Sequence, residues 1–159
     1  ERFYNQTLLN LAEHNYDIKK FFRFTTYGAH YDTAIQIFKN HSYFGVGLKN
    51  YRIESGKAKY ENPNFRFNEK RKTTHPHQVH LEFLAKMGIF GYISFFIFFF
   101  IFLKKKIKIK FKNRNIYHLS GLLFIMVSFT PLIPSGSFFT TYGAAIFWLN
   151  FAVIEAFND

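Results

Sequence analysis

The stretch Gly91-Tyr92-Ile93-Ser94-Phe95-Phe96-Ile97-Phe98-Phe99-Phe100-Ile101-Phe102-Leu103 decides how the rest of the chain is read. It carries no charge and is apolar around the whole circumference of a helix, which suits lipid and exceeds what a soluble core requires. Traced back to about His80, the segment has 24 residues. At 1.5 Å per residue it rises about 36 Å, enough to cross a hydrocarbon core of roughly 30 Å with some tilt. Two more apolar stretches follow, at about 116–133 and 138–157, separated by Pro131, Pro134 and Ser135-Gly136-Ser137. The expected fold class is an all-α integral membrane protein fragment. An extracytoplasmic, partly helical segment over 1–79 leads into a membrane region over 80–159, with three spans at about 80–103, 116–133 and 138–157. Asn150 in the third span is expected to face another helix, since an unpaired amide in lipid is costly. Glu1 in place of Met, and an end just after an apolar stretch, suggest a longer parent whose remaining transmembrane helices complete the bundle.

Charge sets the orientation. The formal net charge is +11, and it is blocked rather than mixed. Lys104, Lys105, Lys106, Lys108, Lys110, Lys112 and Arg114 lie in a connector without a single acid. By the positive-inside rule, residues 104–115 are cytoplasmic, against an anionic inner leaflet. The 1–79 segment and the Pro131–Ser137 turn then share the outer side. Nucleic-acid binding is excluded as the meaning of the charge, because a third of the basic residues belong to this membrane-flanking connector. The absence of cysteine rules out disulfides and thiolate chemistry within these residues.

The outer segment has no run long enough to span. A short helix is expected at Thr7–Ala12. A second, amphipathic one is expected at His30–His41, with Tyr31, Ala34, Ile35 and Phe38 on its apolar side and Asp32 in its early turns. Gly45-Val46-Gly47 reads as a turn that permits close backbone approach. Residues 55–74 are polar and without pattern, which reads as a loop.

The residues suited to chemistry concentrate in Thr73-Thr74-His75-Pro76-His77-Gln78-Val79-His80-Leu81-Glu82, where the outer loop meets the first span. Glu82 and Lys86, four apart, can pair on one helix face. His75, His77 and Glu82 could converge on a metal, but His-Pro-His is not a specific metal spacing, and no metal or cofactor is assigned. The bland alternative is a set of interfacial polar residues that cap and hydrogen-bond neighbouring loops. Arg23, Arg52 and Arg66 are the candidates for anion recognition, because a guanidinium clamps a diphosphate with paired donors. For any one of them, a solvated surface charge is the simpler reading. The outer Tyr and Phe residues fit either sugar stacking or an interfacial belt.

Gly45-Val46-Gly47-Leu48-Lys49-Asn50-Tyr51-Arg52, followed by His75-Pro76-His77-Gln78-Val79-His80-Leu81-Glu82-Phe83-Leu84-Ala85-Lys86-Met87-Gly88, resembles the O-antigen ligase and polymerase family of bacterial membrane proteins. In that family a large periplasmic loop carries Gly-x-Gly and ends in a His-Pro-His-Asn-like motif at a spanning helix. The resemblance implies a multi-pass protein of the bacterial cytoplasmic membrane with 1–79 periplasmic. It implies an undecaprenyl-diphosphate-linked glycan as donor, and lipid A-core or another glycan as acceptor. It places the functional histidine on His77 and a diphosphate-binding role on Arg52, with Arg23, Arg66, His75, Gln78, His80 and Glu82 as further substrate-binding candidates. Ligases of the family are regarded as metal-independent. Two departures stand out: Gln78 replaces the usual Asn, and Tyr27 occupies the place of a common loop arginine, with Arg23 one turn earlier. The alternatives are a non-catalytic transporter or flippase component for lipid-linked glycans, and a purely structural subunit. A transporter should carry polar groups near midmembrane, where only Asn150 qualifies.

Overall fold

The computed structural model describes Ala12 and residues 17–109, 115–131 and 134–157. The helix expected at Thr7–Ala12, apart from Ala12, lies outside these residues, as do Lys110, Lys112 and Arg114. The described chain is all-α, with no strand. Helix α1 (Ile18–Arg23) and α2 (Thr26–Asn40) are followed by the single turn α3 (Tyr51–Glu54) and by two 3-10 turns at Ala58–Tyr60 and Asn68–Arg71. The long α4 (Val79–Ile109), α5 (Ile116–Ser128) and α6 (Thr141–Ala156) complete the molecule.

Helix α2 starts four residues earlier than its periodicity suggests, because Thr25 caps it: Oγ1 accepts from Gly28 N at 3.1 Å. Gly28, Ala29, His30, Tyr31, Thr33, Ala34 and Ile37 are buried, so Tyr31 and Ala34 face inward as expected, whereas Phe38 is half-buried and Ile35 is exposed. Asp32 lies beyond the first turn; its Oδ2 accepts from Gln36 Nε2 at 2.6 Å and from Asn62 Nδ2 at 3.0 Å, tying α2 to the following loop.

That loop lacks an apolar pattern because polar contacts fix it. Glu54 accepts from Tyr60 Oη at 2.8 Å, pairs with Lys57 at 2.5 Å and Lys59 at 2.9 Å, and has His41 Nε2 at 3.4 Å. Burial raises the Glu54 pKa, but the hydrogen bonds from Lys57, Lys59 and Tyr60 outweigh it and hold the carboxyl at about 2. The buried Arg71 guanidinium meets Glu61 at 2.8 Å and the Asn68 carbonyl at 3.2 Å.

Helix α4 is not continuous. Gly88 sits at φ 66°, ψ −171°, and the Ser42–Gly47 loop enters the break. In an unbroken helix Ile89 N and Phe90 N would donate to the carbonyls of Ala85 and Lys86. Here those carbonyls accept from Val46 N (3.0 Å) and Gly47 N (2.9 Å), while Ile89 N and Phe90 N donate to Ser42 O (2.7 Å) and Tyr43 O (3.3 Å). The loop thus satisfies all four groups that the kink releases. A Cβ at Gly88 would stand 2.3 Å from Tyr43 O, and one at Gly45 would stand 2.4 Å from Lys86 C. The close approach expected of Gly45 and Gly47 is therefore made to a helix backbone.

Among the described residues, only α4, over Val79–Ile107, is long and apolar enough to span a membrane. This corrects the expectation of three spans. α5 has 13 residues and α6 has 16, rising about 20 and 24 Å, short of roughly 30 Å. Hydropathy continues through 129–140, but the helix does not: α5 stops at Phe129 ahead of Pro131, and Thr140 caps α6 by accepting from Gly143 N at 3.1 Å. Asn150 does not reach across to another helix with its amide; Nδ2 donates to Ile146 O of its own helix at 2.9 Å. At the far end, Lys106 is buried and pairs with Glu155 of α6 at 2.6 Å, so this part of the basic connector is helical and has an acid partner.

Two apolar clusters meet on α4. Phe83, Phe96, Phe99 and Phe102 pack with Leu122, Ile125, Phe129, Phe147 and Ile154 of the helical hairpin. Ala85, with half-buried Leu81, packs with Ala34, Ile37, Tyr51 and Tyr60 of the preceding segment. The first turns of α4 therefore fix the loop segment and the hairpin to each other.

Candidate functional site

The approach to α4 is built by residues 73–78. Thr73 Oγ1 donates to His75 O at 2.8 Å and accepts from His75 N at 3.2 Å, closing a small turn. Pro76 is fully buried. His77 takes the left-handed conformation, with φ 58°, uncommon for a residue with a Cβ. Its carbonyl accepts from Ser135 N at 2.8 Å, which helps hold that conformation. Gln78 then caps α4: its Oε1 accepts from Leu81 N at 2.7 Å. An amide is what this position needs, and Gln supplies it.

These constraints bring three imidazoles together. The His75 and His77 ring centroids are 4.1 Å apart, and His30 of α2 lies 5.2 Å from His77. Tyr27 stands edge-on to His77 at 5.9 Å. Neither His77 ring nitrogen makes a hydrogen bond, and the ring is half-buried. His30 Nδ1 and His75 Nε2 are buried without partners. Burial pushes all three pKa values down. His30 falls from the ordinary 6.5 to about 4, first through burial and then through the charges of His77 and His75. His75 and His77 are lowered mainly by burial, with the Glu82 charge opposing. The cluster is therefore neutral at neutral pH. Among the described residues no group of three His, Cys, Asp or Glu is arranged to hold a metal ion.

His30 was not evident from the sequence as a site residue. It reads there only as the start of an amphipathic helix, and nothing local links it to the distant His-Pro-His motif. Tyr27, too, was not singled out as a site residue, and its ring touches His77.

Glu82 is committed elsewhere. Its carboxylate, 1 % exposed, accepts from Lys86 Nζ at 2.6 Å, from the Ser137 hydroxyl, and from Phe138 N at 2.9 Å. It makes the expected pair with Lys86 and no hydrogen bond to an imidazole. His80 is likewise engaged: Nδ1 meets Tyr92 Oη at 3.0 Å and Nε2 meets the Phe129 carbonyl at 2.9 Å. A carbonyl only accepts, so Nε2 donates to Phe129 O.

A cavity of about 520 Å³ opens between α2, α4 and Pro131, with Phe22, Tyr31, Phe65, Gln78, His80 and Tyr92 among its walls. Arg23 and Arg66 each follow one of its phenylalanines in sequence, and Arg66 N donates to Arg23 O at 2.9 Å. Both arginines are exposed, and the Arg66 guanidinium lies 5.5 Å from the Phe67 ring. Arg52 is exposed on α3, and no hydrogen bond, ion pair or ring contact joins its side chain to the histidine cluster. Two of the three candidate arginines are thus neighbours through their backbones.

A family model described as O-antigen ligase matches residues 3–96. No curated protein and no solved structure matches the chain. The family match takes in α1 to α3, the Ser42–Gly47 insertion, the histidine cluster and the start of the long apolar helix, which together are more than half of the sequence. The chain belongs to the O-antigen ligase family.

Proposed function

We propose that this chain is part of a membrane glycan-transfer enzyme. It moves a glycan from an undecaprenyl-diphosphate-linked donor to lipid A-core, to another glycan or to a related acceptor, at the outer face of the cytoplasmic membrane. The observation that carries this reading is His77: a half-buried, neutral imidazole with both nitrogens uncommitted, set in a constrained backbone at the mouth of the long apolar helix. A neutral imidazole is the form a general base requires.

His77 takes the proton of the acceptor hydroxyl as its oxygen bonds to the anomeric carbon of the donor sugar. The bond from that carbon to the phosphate oxygen breaks, and undecaprenyl diphosphate leaves with the electron pair. Arg23 and Arg66, each next in sequence to a phenylalanine of the cavity wall, and Arg52 on α3 hold the diphosphate and offset the charge that develops on it. Residues 1–79 are periplasmic, 104–115 cytoplasmic, and the membrane region over 80–159 completes a multi-pass bundle with the rest of the parent. A transporter is disfavoured, because Asn150, the one midmembrane candidate, hydrogen-bonds its own helix.

The test is transfer by the full-length parent in membranes, with purified undecaprenyl-diphosphate-linked repeat units as donor. Lipid A-core and further repeat units are offered as acceptors in parallel, with chelator present. Product on either acceptor supports the enzyme and identifies its subclass. No product on either, with donor orientation verified, removes the reading in favour of transport.

A further inference from the structure

The Ser42–Gly47 insertion has an outer surface that its role at the kink does not explain. Tyr43 and Phe44 are 67 % and 77 % exposed, and both rings pack on Phe90, itself 53 % exposed, at centroid distances of 5.9 and 5.5 Å. Below them Ile93, Ile97 and Ile101 continue at helical spacing on α4, all exposed. The patch is thus continuous with an apolar face of the one helix fit to span a membrane. Its members are bulky, unlike the small residues that let membrane helices approach one another. Lys39 and Lys49 flank the insertion in sequence, exposed and without an ion pair.

We infer that Tyr43, Phe44 and Phe90 form an interfacial anchor that lies in the boundary between lipid head groups and acyl chains. The partner is a phospholipid surface, with Lys39 and Lys49 reaching anionic head groups. Aromatic rings favour that boundary, and flanking lysines extend to the phosphates. The four backbone hydrogen bonds at Gly88 make the anchor rigid with the helix, so lipid contact sets the height of the histidine cluster above the membrane. This inference rests on α4 spanning the bilayer.

The test uses the full-length protein in vesicles of phosphatidylethanolamine and phosphatidylglycerol, with any cysteines outside these residues replaced by serine. Nitroxide labels at Phe44→Cys, Ile97→Cys and Asn64→Cys report collision with oxygen, which partitions into lipid, and with a water-soluble nickel chelate. Phe44 is exposed and its ring packs on the likewise exposed Phe90 ring, so the change leaves the buried core intact. The expected result is a depth parameter at Phe44 shifted from the aqueous value at Asn64 toward that at Ile97. A nickel-accessible Phe44 beside a lipid-accessible Ile97 overturns the anchor alone. A Phe44 shielded from both reagents shows a protein partner and also overturns it. An aqueous Ile97 removes the spanning helix and the anchor together.

Discussion

The two polar centres at the start of α4 are both largely removed from water but are treated in opposite ways. Glu82 and Lys86 are almost fully buried, and the carboxylate is bonded to an ammonium, a hydroxyl and a backbone N–H. The histidine cluster leaves His30 Nδ1 and His75 Nε2 without partners and His77 uncommitted. Buried polar groups are normally satisfied, since an orphaned one costs about 1–3 kcal/mol. The first centre is a joint: it ties α4 to the turn at Ser137 and Phe138. The second retains unused hydrogen-bonding capacity at the point where an acceptor hydroxyl would arrive.

The largest expected effect on stability belongs to the joint. Glu82→Ala leaves Lys86 buried without a counter-charge and costs about 3–5 kcal/mol. Replacing Glu82 and Lys86 together by leucine recovers more than half of that in the same unfolding titration. A single variant within 1 kcal/mol of wild type (about the net worth of one ordinary hydrogen bond) would show that the pair is not the joint described here. Next comes Gly88→Ala, which forces a Cβ into Tyr43 O and a left-handed conformation, at a cost of about 1–3 kcal/mol. Amide exchange at Val46 and Gly47 should accelerate in that variant; unchanged exchange would mean the insertion does not depend on the kink.

The contrast was only partly legible in the sequence. Glu82 and Lys86 are four apart, so their pairing follows from helix geometry. The uncharged run 91–103 marks the one described helix that is long and apolar enough to span. Gly45-Val46-Gly47 was legible as a close approach but not as to what, because its partner is a glycine inside an apolar helix that hydropathy reads as uninterrupted. Hydropathy also does not see that α5 ends at Ser128 and that the Thr140 cap starts α6 only at Thr141, which made both look long enough to span. His30 was invisible for a different reason: it meets His77 only after α2 has packed on α4.

A third prediction concerns that packing. His30 is held near a pKa of about 4 in the fold against an ordinary 6.5, so the unfolded chain binds more protons between those values. Stability present above about pH 6.5 is therefore lost as the pH falls toward 4. His30→Phe keeps the bulk and removes the titration, and Tm should fall less steeply over that window than in wild type. Parallel slopes would place His30 outside the neutral cluster.

The most direct test of the central claim is the transfer rate of full-length His77→Ala, compared with wild type at matched expression and Tm. A positioned base contributes about 10²–10⁴-fold, so the account predicts a loss of that size. Undiminished transfer would contradict it and leave His77 as part of the loop's architecture.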